Sequence, residues 1–361
     1  MKKINEDFLK KIENSLEEKN CDAVILNQSS DVFYYTGFNS ASNSATLFIT
    51  KNKRVFITDG RFVNQFKEQV DGFDLVVNKK LGDTYQLLKN IIKENNINNL
   101  LFSFNDLSYQ NFKELELDNI NLVDAGSLFQ EIRRVKTEEE LSHIKSACKI
   151  NEEAFFATLD QIKPGLTEKD IRNILNNEIM TRGSEGFAFP TIVASGPTNG
   201  ALPHAIPTDR KIEVGDFITI DFGAIKNRYK ADNTRTIAVG EVNDELMKIY
   251  NIVLETKNEC SKLVKPGVKT QEVHNYAANK IKDAGYELPH GLGHGLGVDN
   301  HELPRMANSY ESTFKENDVI TIEPGIYVLE TGGVRIEDDY VVTKDGVENL
   351  TPNITTDLIT I

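Results

Sequence analysis

Apolar residues near the start of the chain fall at Ile4, Phe8, Ile12 and Leu16, a helical spacing that predicts an amphipathic helix over residues 1–20. Short strand-like runs follow: CDAVILNQ, then SATLFIT and RVFITDG, the last two split by the polar turn KNK. RFVNQFKEQV returns to helical spacing, and LVVN, a helix around YQLLKNIIKENN and the run LLFSF continue the alternation. Strands and helices alternating to about residue 130 predict one α/β domain. RRVKTEEE then leads into a long helical pattern, LSHIKSACKINEEAFFATLDQI. Thr137 followed by Glu140 is a capping box, which marks a helix start there. A domain boundary is therefore expected near residues 131–137, dividing the chain into 1–132 and 133–361.

The second part contains an internal repeat. Lys163-Pro164-Gly165 recurs 102 residues later as Lys265-Pro266-Gly267, and Gly183 recurs as Gly285. DFITIDFG, from Asp216 to Gly223, recurs at the same offset as DVITIEPG, from Asp318 to Gly325. Each half reads as helix, Lys-Pro-Gly turn, second helix, strand and hairpin. Neither half can bury a sheet face alone, so the two should pack as a pseudo-twofold α+β domain around a shared sheet.

Length and composition narrow the class. A chain of 361 residues is long for a single core. A net charge of −14 argues against nucleic acid or an anionic membrane as partner. No apolar run is long enough to span a membrane, and the charged N-terminus lacks the apolar stretch of a signal peptide. Cys21, Cys148 and Cys260 are too few and scattered for a disulfide framework, and point to a reducing cytoplasm.

The repeated strand carries the chemistry. ITIDFGA and ITIEPGI each end a buried-looking run with one carboxylate, Asp221 and Glu323. A turn centred between Lys226 and Asn227 would set Asp232 directly across from Asp221. A turn through Thr331-Gly332-Gly333 would bring Glu337 near Glu323. Any one of these acids, taken alone, reads as readily as a strand cap or as a partner of Arg235 or Arg335. Four together repel each other in a low-dielectric site unless cations neutralise them, and a pair of divalent ions is the natural remedy. Of only six histidines, His290, His294 and His301 lie in PHGLGHGLGVDNHE and His204 in NGALPHAIP. Glycines around His290 and His294 allow the close approach a ligating ring needs. His143 and His274 sit in helical patterns and read as ordinary helix residues.

The set DFGAIKNRYKADNTRT, HGLGHGLGVDNHE, TIEPGIYV and GVRIEDD resembles the pita-bread metallopeptidases, most closely their Xaa-Pro branch of aminopeptidase P and prolidase. The resemblance is strong from about residue 137 onward. It is weaker before residue 130, where DVFYYTGF and ITDGRF suggest that branch's creatinase/prolidase-type N-terminal domain. It implies five metal ligands: Asp221 on one ion through both oxygens, Asp232 and Glu337 bridging, and His294 and Glu323 on the other ion. It also implies that His204 stabilises the tetrahedral intermediate or the departing nitrogen, that His301 contacts the substrate carbonyl, and that Glu323 relays a proton. His290 and Arg335 would help form the proline pocket. Asn300 departs from the pattern, since an apolar residue is more usual before His301, and is expected to alter the seating of that ring. Ligand type favours two Mn²⁺ ions over Co²⁺, Fe²⁺ or Zn²⁺.

The implied activity is hydrolysis of the N-terminal Xaa-Pro bond of short peptides, by a cytoplasmic homodimer. The alternative is a prolidase restricted to dipeptides, for which Arg305, Arg228 and Arg61 are candidate carboxylate binders. Methionine aminopeptidase shares the metal motifs but usually lacks so large an N-terminal domain, and creatine amidinohydrolase lacks the ligands. A non-catalytic pita-bread binding module is the alternative from another class, and such modules typically lose ligands that are all present here.

Overall fold

The amphipathic pattern at the N-terminus forms α1 (Glu6–Glu18), with Phe8, Ile12 and Leu16 buried. Ile4 lies outside the residues that the computed structural model describes, which are 6–40, 44–80, 83–106, 108–115 and 120–361. The apolar runs become β1 (Ala23–Leu26), β2 (Ala45–Thr50), β3 (Arg54–Asp59), β4 (Asp74–Asn78) and β5 (Asn99–Phe102), joined by β6 (Asn121–Asp124). They form one mixed sheet in the order β4-β3-β2-β1-β5-β6. Helices α2 (Ser29–Thr36), α3 (Val63–Gln69), α4 (Thr84–Glu94), α5 (Tyr109–Leu115) and α6 (Leu128–Arg134) run between and after the strands. Ile25, Phe48, Ile57, Leu88, Ile92 and Phe102 share its core. DVFYYTGF, whose pattern gave no element in advance, is α2, closed by Gly37 at a left-handed φ of 71°.

The chain divides into two units, Met1–Arg133 and Arg134–Ile361. The second opens on the capping box. Thr137 Oγ1 accepts from the Glu140 N–H, and Glu140 Oε2 accepts from the Thr137 N–H at 2.8 Å, starting α7 (Glu138–Leu159). The first half continues through α8 (Glu168–Thr181), β7 (Ile192–Ser195), α9 (Gly196–Asn199), β8 (Phe217–Phe222), β9 (Ile225–Lys226), β10 (Tyr229–Lys230) and β11 (Asn233–Ala238). The second half contains α10 (Asp244–Leu263), α11 (Thr270–Asp283), β12 (Gly293–Gly295), β13 (Glu302–Met306), β14 (Val319–Ile322), β15 (Gly325–Val328), β16 (Gly332–Arg335), β17 (Asp338–Thr343) and β18 (Gly346–Asn349).

The 102-residue repeat is written in backbone hydrogen bonds. Gly165 N–H donates to Ile212 O and Gly267 N–H to Phe314 O, both at 2.9 Å, with the two glycines at φ 92° and 87°. Asp216 accepts from Glu213 N–H and Asp318 from Lys315 N–H, both at 2.8 Å. The halves do not share one continuous sheet as expected. They form separate ladders, β11-β8-β7 and β13-β12-β14-β17-β18, linked by a bridge between Thr234 and Glu337. At that bridge the Glu337 N–H donates to Thr234 O at 3.0 Å.

Strand alternation sorts the side chains. Ile218, Ile220 and Phe222 enter the core of the first half, and Ile320 and Ile322 that of the second. Thr219, Asp221, Thr321 and Glu323 therefore point to the opposite face. The register corrects the sequence expectation for the first hairpin. Thr234, not Asp232, lies opposite Asp221, and Asn233 lies opposite Phe222. The turn sits one residue later than expected, at Asn227 and Arg228, whose φ of 49° and 71° suit a two-residue hairpin loop in a right-twisted ladder. Moving the turn by one residue moves the pairing by two, so Asp232 keeps its face and becomes a diagonal neighbour of Asp221.

The second hairpin also turns elsewhere than expected. Val328 pairs with Gly332, which leaves Leu329-Glu330-Thr331 as the loop. Gly333 serves a close approach instead, because a Cβ there would meet Gly200 O at 2.5 Å. Glu323 and Glu337 still face each other, in the gap between the Ile322–Asp338 and Gly325–Arg335 pairs.

Gly223, where the first ladder opens, has no room for a side chain: a Cβ would lie 2.1 Å from Ala231 O and 2.7 Å from Ala188 Cβ. Gly223→Ala is expected to destabilise the protein by about 2–3 kcal/mol. The urea midpoint followed by circular dichroism would fall, and an unchanged midpoint would contradict this packing.

Candidate active site

The alternation just described puts Asp221, Asp232, Glu323 and Glu337 on one face, each placed by a strand or the end of one. His294 comes from β12, whose short ladder lies between β13 and β14. All five line a single cavity of about 610 Å³, together with His204, His290, His301 and Arg335. The nine metal, catalytic and pocket positions expected from the sequence are thus in one place; of the three candidate carboxylate binders, Arg305 lines the cavity and Arg228 and Arg61 do not. Apolar side chains also line it, from Phe189, Pro190, Ile192, Ala205, Ile206 and Ala307.

Asp232, His294 and Glu337 each offer one ligand atom, all within 4.8 Å of one another. His294 Nε2 lies 3.3 Å from Glu323 Oε1 and 3.7 Å from Asp232 Oδ2. With Nδ1 the protonated nitrogen, the ring donates to Gly295 O at 2.9 Å and leaves the Nε2 lone pair directed at the acids. Burial holds His294 neutral, its pKa lowered to about 3, with the neighbouring His301 ring adding to the shift. The two ring centroids are 4.1 Å apart.

The carboxylates carry the opposite shift. Burial, and then repulsion from Asp221 and other acids, pushes Asp232 well above the usual range. Burial followed by Asp232, Glu323 and Asp221 does the same to Glu337. Glu323 rises to about 8 through burial, with Asp221 adding to the rise and Arg335 opposing it. Asp221 Oδ1 and Glu337 Oε1 are buried without a hydrogen-bond donor. Orphaned anionic oxygens, a desolvated acid cluster and one oriented imidazole form an oxygen-rich donor set that fits divalent cations.

The surroundings fix these groups, and most of them were not foreseen. Thr234 Oγ1 donates to Glu337 Oε2 at 2.6 Å, and Thr321 Oγ1 donates to Glu323 Oε1 at 3.2 Å. Arg335 is more committed than a pocket wall should be. It donates to Asp221 Oδ2 and Tyr327 Oη at 2.6 Å, to Pro203 O at 3.1 Å and to Thr234 Oγ1 at 3.2 Å. His290 Nε2 lies 3.2 Å from the same Tyr327 hydroxyl. Asn300 acts on a carboxylate, where an effect on the seating of His301 was expected: its Nδ2 donates to Asp232 Oδ2 at 3.0 Å. Asp339 Oδ2 accepts the Asp232 N–H at 2.9 Å. Among the missed residues, Thr321 and Asp339 share strand parity with Glu323 and Glu337, the one sequence signal that could have found them. His274 accepts the Leu292 N–H at 3.3 Å and so steadies the approach to β12, while the His143 ring lies tilted beside Tyr229, with centroids 5.5 Å apart.

Comparison with known proteins agrees with this geometry. The model of metallopeptidase family M24 matches residues 142–344. The chain belongs to that family. The creatinase/prolidase N-terminal domain model matches residues 9–135. An Xaa-Pro dipeptidase of Pyrococcus furiosus is 34% identical over 346 residues, 95% of this chain and 97% of that protein. Among solved structures, an Xaa-Pro dipeptidase from Bacillus anthracis superposes with a TM-score of 0.92 at 33% identity, covering 99% of both chains. An X-Pro aminopeptidase from Thermotoga maritima gives 0.84 at 34% identity, covering 96% of this chain and all of that one. This M24 chain has the pita-bread catalytic fold of those neighbours. No described helix is long and apolar enough to cross a membrane.

The shifts predict how stability depends on pH without metal. Glu323 keeps its proton to about pH 8 when folded, against an ordinary glutamate value of 4.5. The folded state then binds more protons across that window, so stability falls as pH rises through it. His294 acts in the opposite sense, from about pH 3 up to the ordinary histidine value of 6.5, where the unfolded chain holds the extra proton. Above pH 6.5 the carboxylates act alone. Chelator-treated protein should lose Tm from about pH 6.5 to 8, and saturating Mn²⁺ should abolish the loss. A flat or rising Tm in the chelated protein would contradict it.

Proposed function

We propose that this M24 enzyme hydrolyses the bond between a first residue and proline in short peptides. The observation that carries the reading is the convergence of Asp221, Asp232, His294, Glu323 and Glu337 in one cavity that also has apolar lining. The names of its relatives support the same chemistry. In this reading the catalytic domain is 133–361, and 1–132 is a creatinase/prolidase-like domain with a structural role. The enzyme works as a cytoplasmic homodimer, and its three buried, unbridged cysteines fit a reducing compartment.

The five ligands would hold two divalent ions, with Asp232 and Glu337 shared between them. The oxygen-rich set favours Mn²⁺, with Co²⁺, Fe²⁺ and Zn²⁺ as alternatives. Bound there, such ions supply a polarised scissile carbonyl and a water acidified toward neutral pH. Arg335 holds Asp221 by one oxygen and leaves Oδ1 without a donor. Glu323 faces the cavity beside His294 and relays a proton to the leaving nitrogen. His204 and His301, both exposed to the cavity, serve the oxyanion and the substrate carbonyl. A bond to proline has no N–H on its nitrogen and carries a ring there. His290, steadied by Tyr327 and Arg335, forms part of the wall that receives that ring.

Aminopeptidase action on peptides of several lengths is the primary reading. One observation favours the dipeptidase reading: Arg305 pairs with His294 across the β12–β13 ladder, is exposed, and lines the cavity. A guanidinium there suits the free carboxylate of a C-terminal proline.

Protein stripped with chelator and restored with Mn²⁺ should cleave Ala-Pro and Ala-Pro-Ala. Cleavage of Ala-Pro alone would make the enzyme a prolidase, and metal-dependent cleavage of neither would sink the proposal. If Arg305 binds the carboxylate, Arg305→Ala should raise KM for Ala-Pro roughly 10- to 100-fold, the loss of one charge-assisted hydrogen bond, and leave Ala-Pro-Ala unaffected.

A further inference from the structure

Glu168, the first residue of α8, is fully buried, yet among the described residues no positive side chain bonds to it directly. Its carboxylate instead accepts five hydrogen bonds. Oε1 takes the Ser195 N–H and Ser195 Oγ–H, both at 2.7 Å. Oε2 takes Asn199 Nδ2–H and Thr208 Oγ1–H at 2.7 Å, and the Thr208 N–H at 2.8 Å. Ser195 and Thr208 are the two ends of the loop that presents His204 to the cavity. Between them Ala201 and Ala205 are buried, Leu202 is 44% and Ile206 79% exposed, and Pro203 O accepts from Arg335. Arg210 completes the arrangement, donating from Nη1 to Ser195 Oγ at 2.9 Å and to Asp216 at 2.6 Å.

We infer that Glu168 is a positioning residue, a clasp whose two oxygens close the 195–208 loop at both ends and thereby set where His204 stands over the substrate. The inference rests on the role given to His204 above. The clasp needs a carboxylate specifically. Each oxygen serves one backbone N–H, Ser195 on one side and Thr208 on the other. An amide has a single acceptor oxygen, so glutamine in either orientation turns an NH₂ toward one of those donors and releases one end of the loop. The volume is unchanged and no cavity is created. The α8 N-terminus, where peptide N–H groups point outward, favours the negative charge.

The experiment compares Glu168→Gln, His204→Ala and the double variant on Ala-Pro with Mn²⁺ bound. Hydrogen exchange of the 196–208 amides and calorimetric Mn²⁺ titration are measured alongside. Glu168→Gln should lower kcat roughly 10- to 100-fold, as misplacement of a catalytic group does, with KM within about threefold. It should speed exchange within 196–208 and leave Mn²⁺ binding unchanged. In the His204→Ala background it should cause no further loss, because the group it positions is gone. Unchanged exchange would overturn the clasp. Faster exchange with losses that multiply across the double variant would overturn the positioning of His204. A silent His204→Ala would instead overturn the role proposed for that histidine, and the exchange data would still report on the clasp by themselves. Should Glu168→Gln fail to fold, Thr208→Val removes one donor at the exposed end and must show the same pattern at smaller amplitude, about threefold in kcat. Wild-type kcat and exchange in Thr208→Val would count against the clasp.

Discussion

Four carboxylates on one buried face, with too little positive charge to match them, set the terms for this fold. Burial alone penalises each anion, and each neighbour adds repulsion. The only protein cation bonded to any of the four is Arg335, which engages Asp221 and leaves Asp232, Glu323 and Glu337 without one among the described residues. A chain that assembles such a cluster either protonates it or supplies it with metal. The surrounding details serve geometry rather than neutrality. Thr234 and Thr321 each orient one carboxylate oxygen, and Asn300 steadies Asp232. Glycines clear the backbone where the strands crowd, as Gly293 does beside Thr321 O.

The run Glu337-Asp338-Asp339 shows how closely this is controlled. Three consecutive acids are all buried, and strand alternation sends the middle one the other way. Burial would raise Asp338, but Arg235 and Lys257, both ion-paired with it, hold it below the usual range. Asp339 and Glu337, on the opposite face, are pushed well above that range, chiefly by burial. Adjacent residues of the same charge thus have opposite fates within one strand, one as a structural counter-ion and two at the site. The Arg134–Asp318 pair, buried and joined by bonds to Ser312 and Thr313, is another structural acid of the same unit. Asp318 is also the repeat partner of Asp216, which pairs with Arg210. The acid at the strand entry recurs in both halves, each paired with its own arginine.

The repeat explains why the site lies where it does. Equivalent strands in the two halves end in equivalent acids, Asp221 and Glu323, and the halves join at Thr234 and Glu337, the residues opposite those acids. The acid-bearing face is therefore the junction itself. A substitution in either ladder would be felt at the site, because both hairpins open where the acids stand.

Much of this was legible in the residues: the α/β beginning, the capping box at Thr137, the 102-residue repeat, and the nine site positions that converge on one cavity. Those features depend on local periodicity, on spacing and on a distinctive set of motifs, all properties of neighbours along the chain. Other features depended on distance in space. The first turn fell one residue later because Asn227 and Arg228 take up left-handed conformations that the twist of the ladder demands, so Thr234 rather than Asp232 came to face Asp221. Arg335 lines the cavity as expected and is also a brace, because folding brought Pro203, Tyr327 and Thr234 within reach of its guanidinium. The clasp at Glu168 joins residues up to 40 positions apart and left no motif. Sequence by itself determined which side chains share a face, because strand alternation is a local rule. Tertiary structure alone decided which of them touch, because hydrogen bonds and charge compensation depend on distances of a few ångströms that only the packed chain sets.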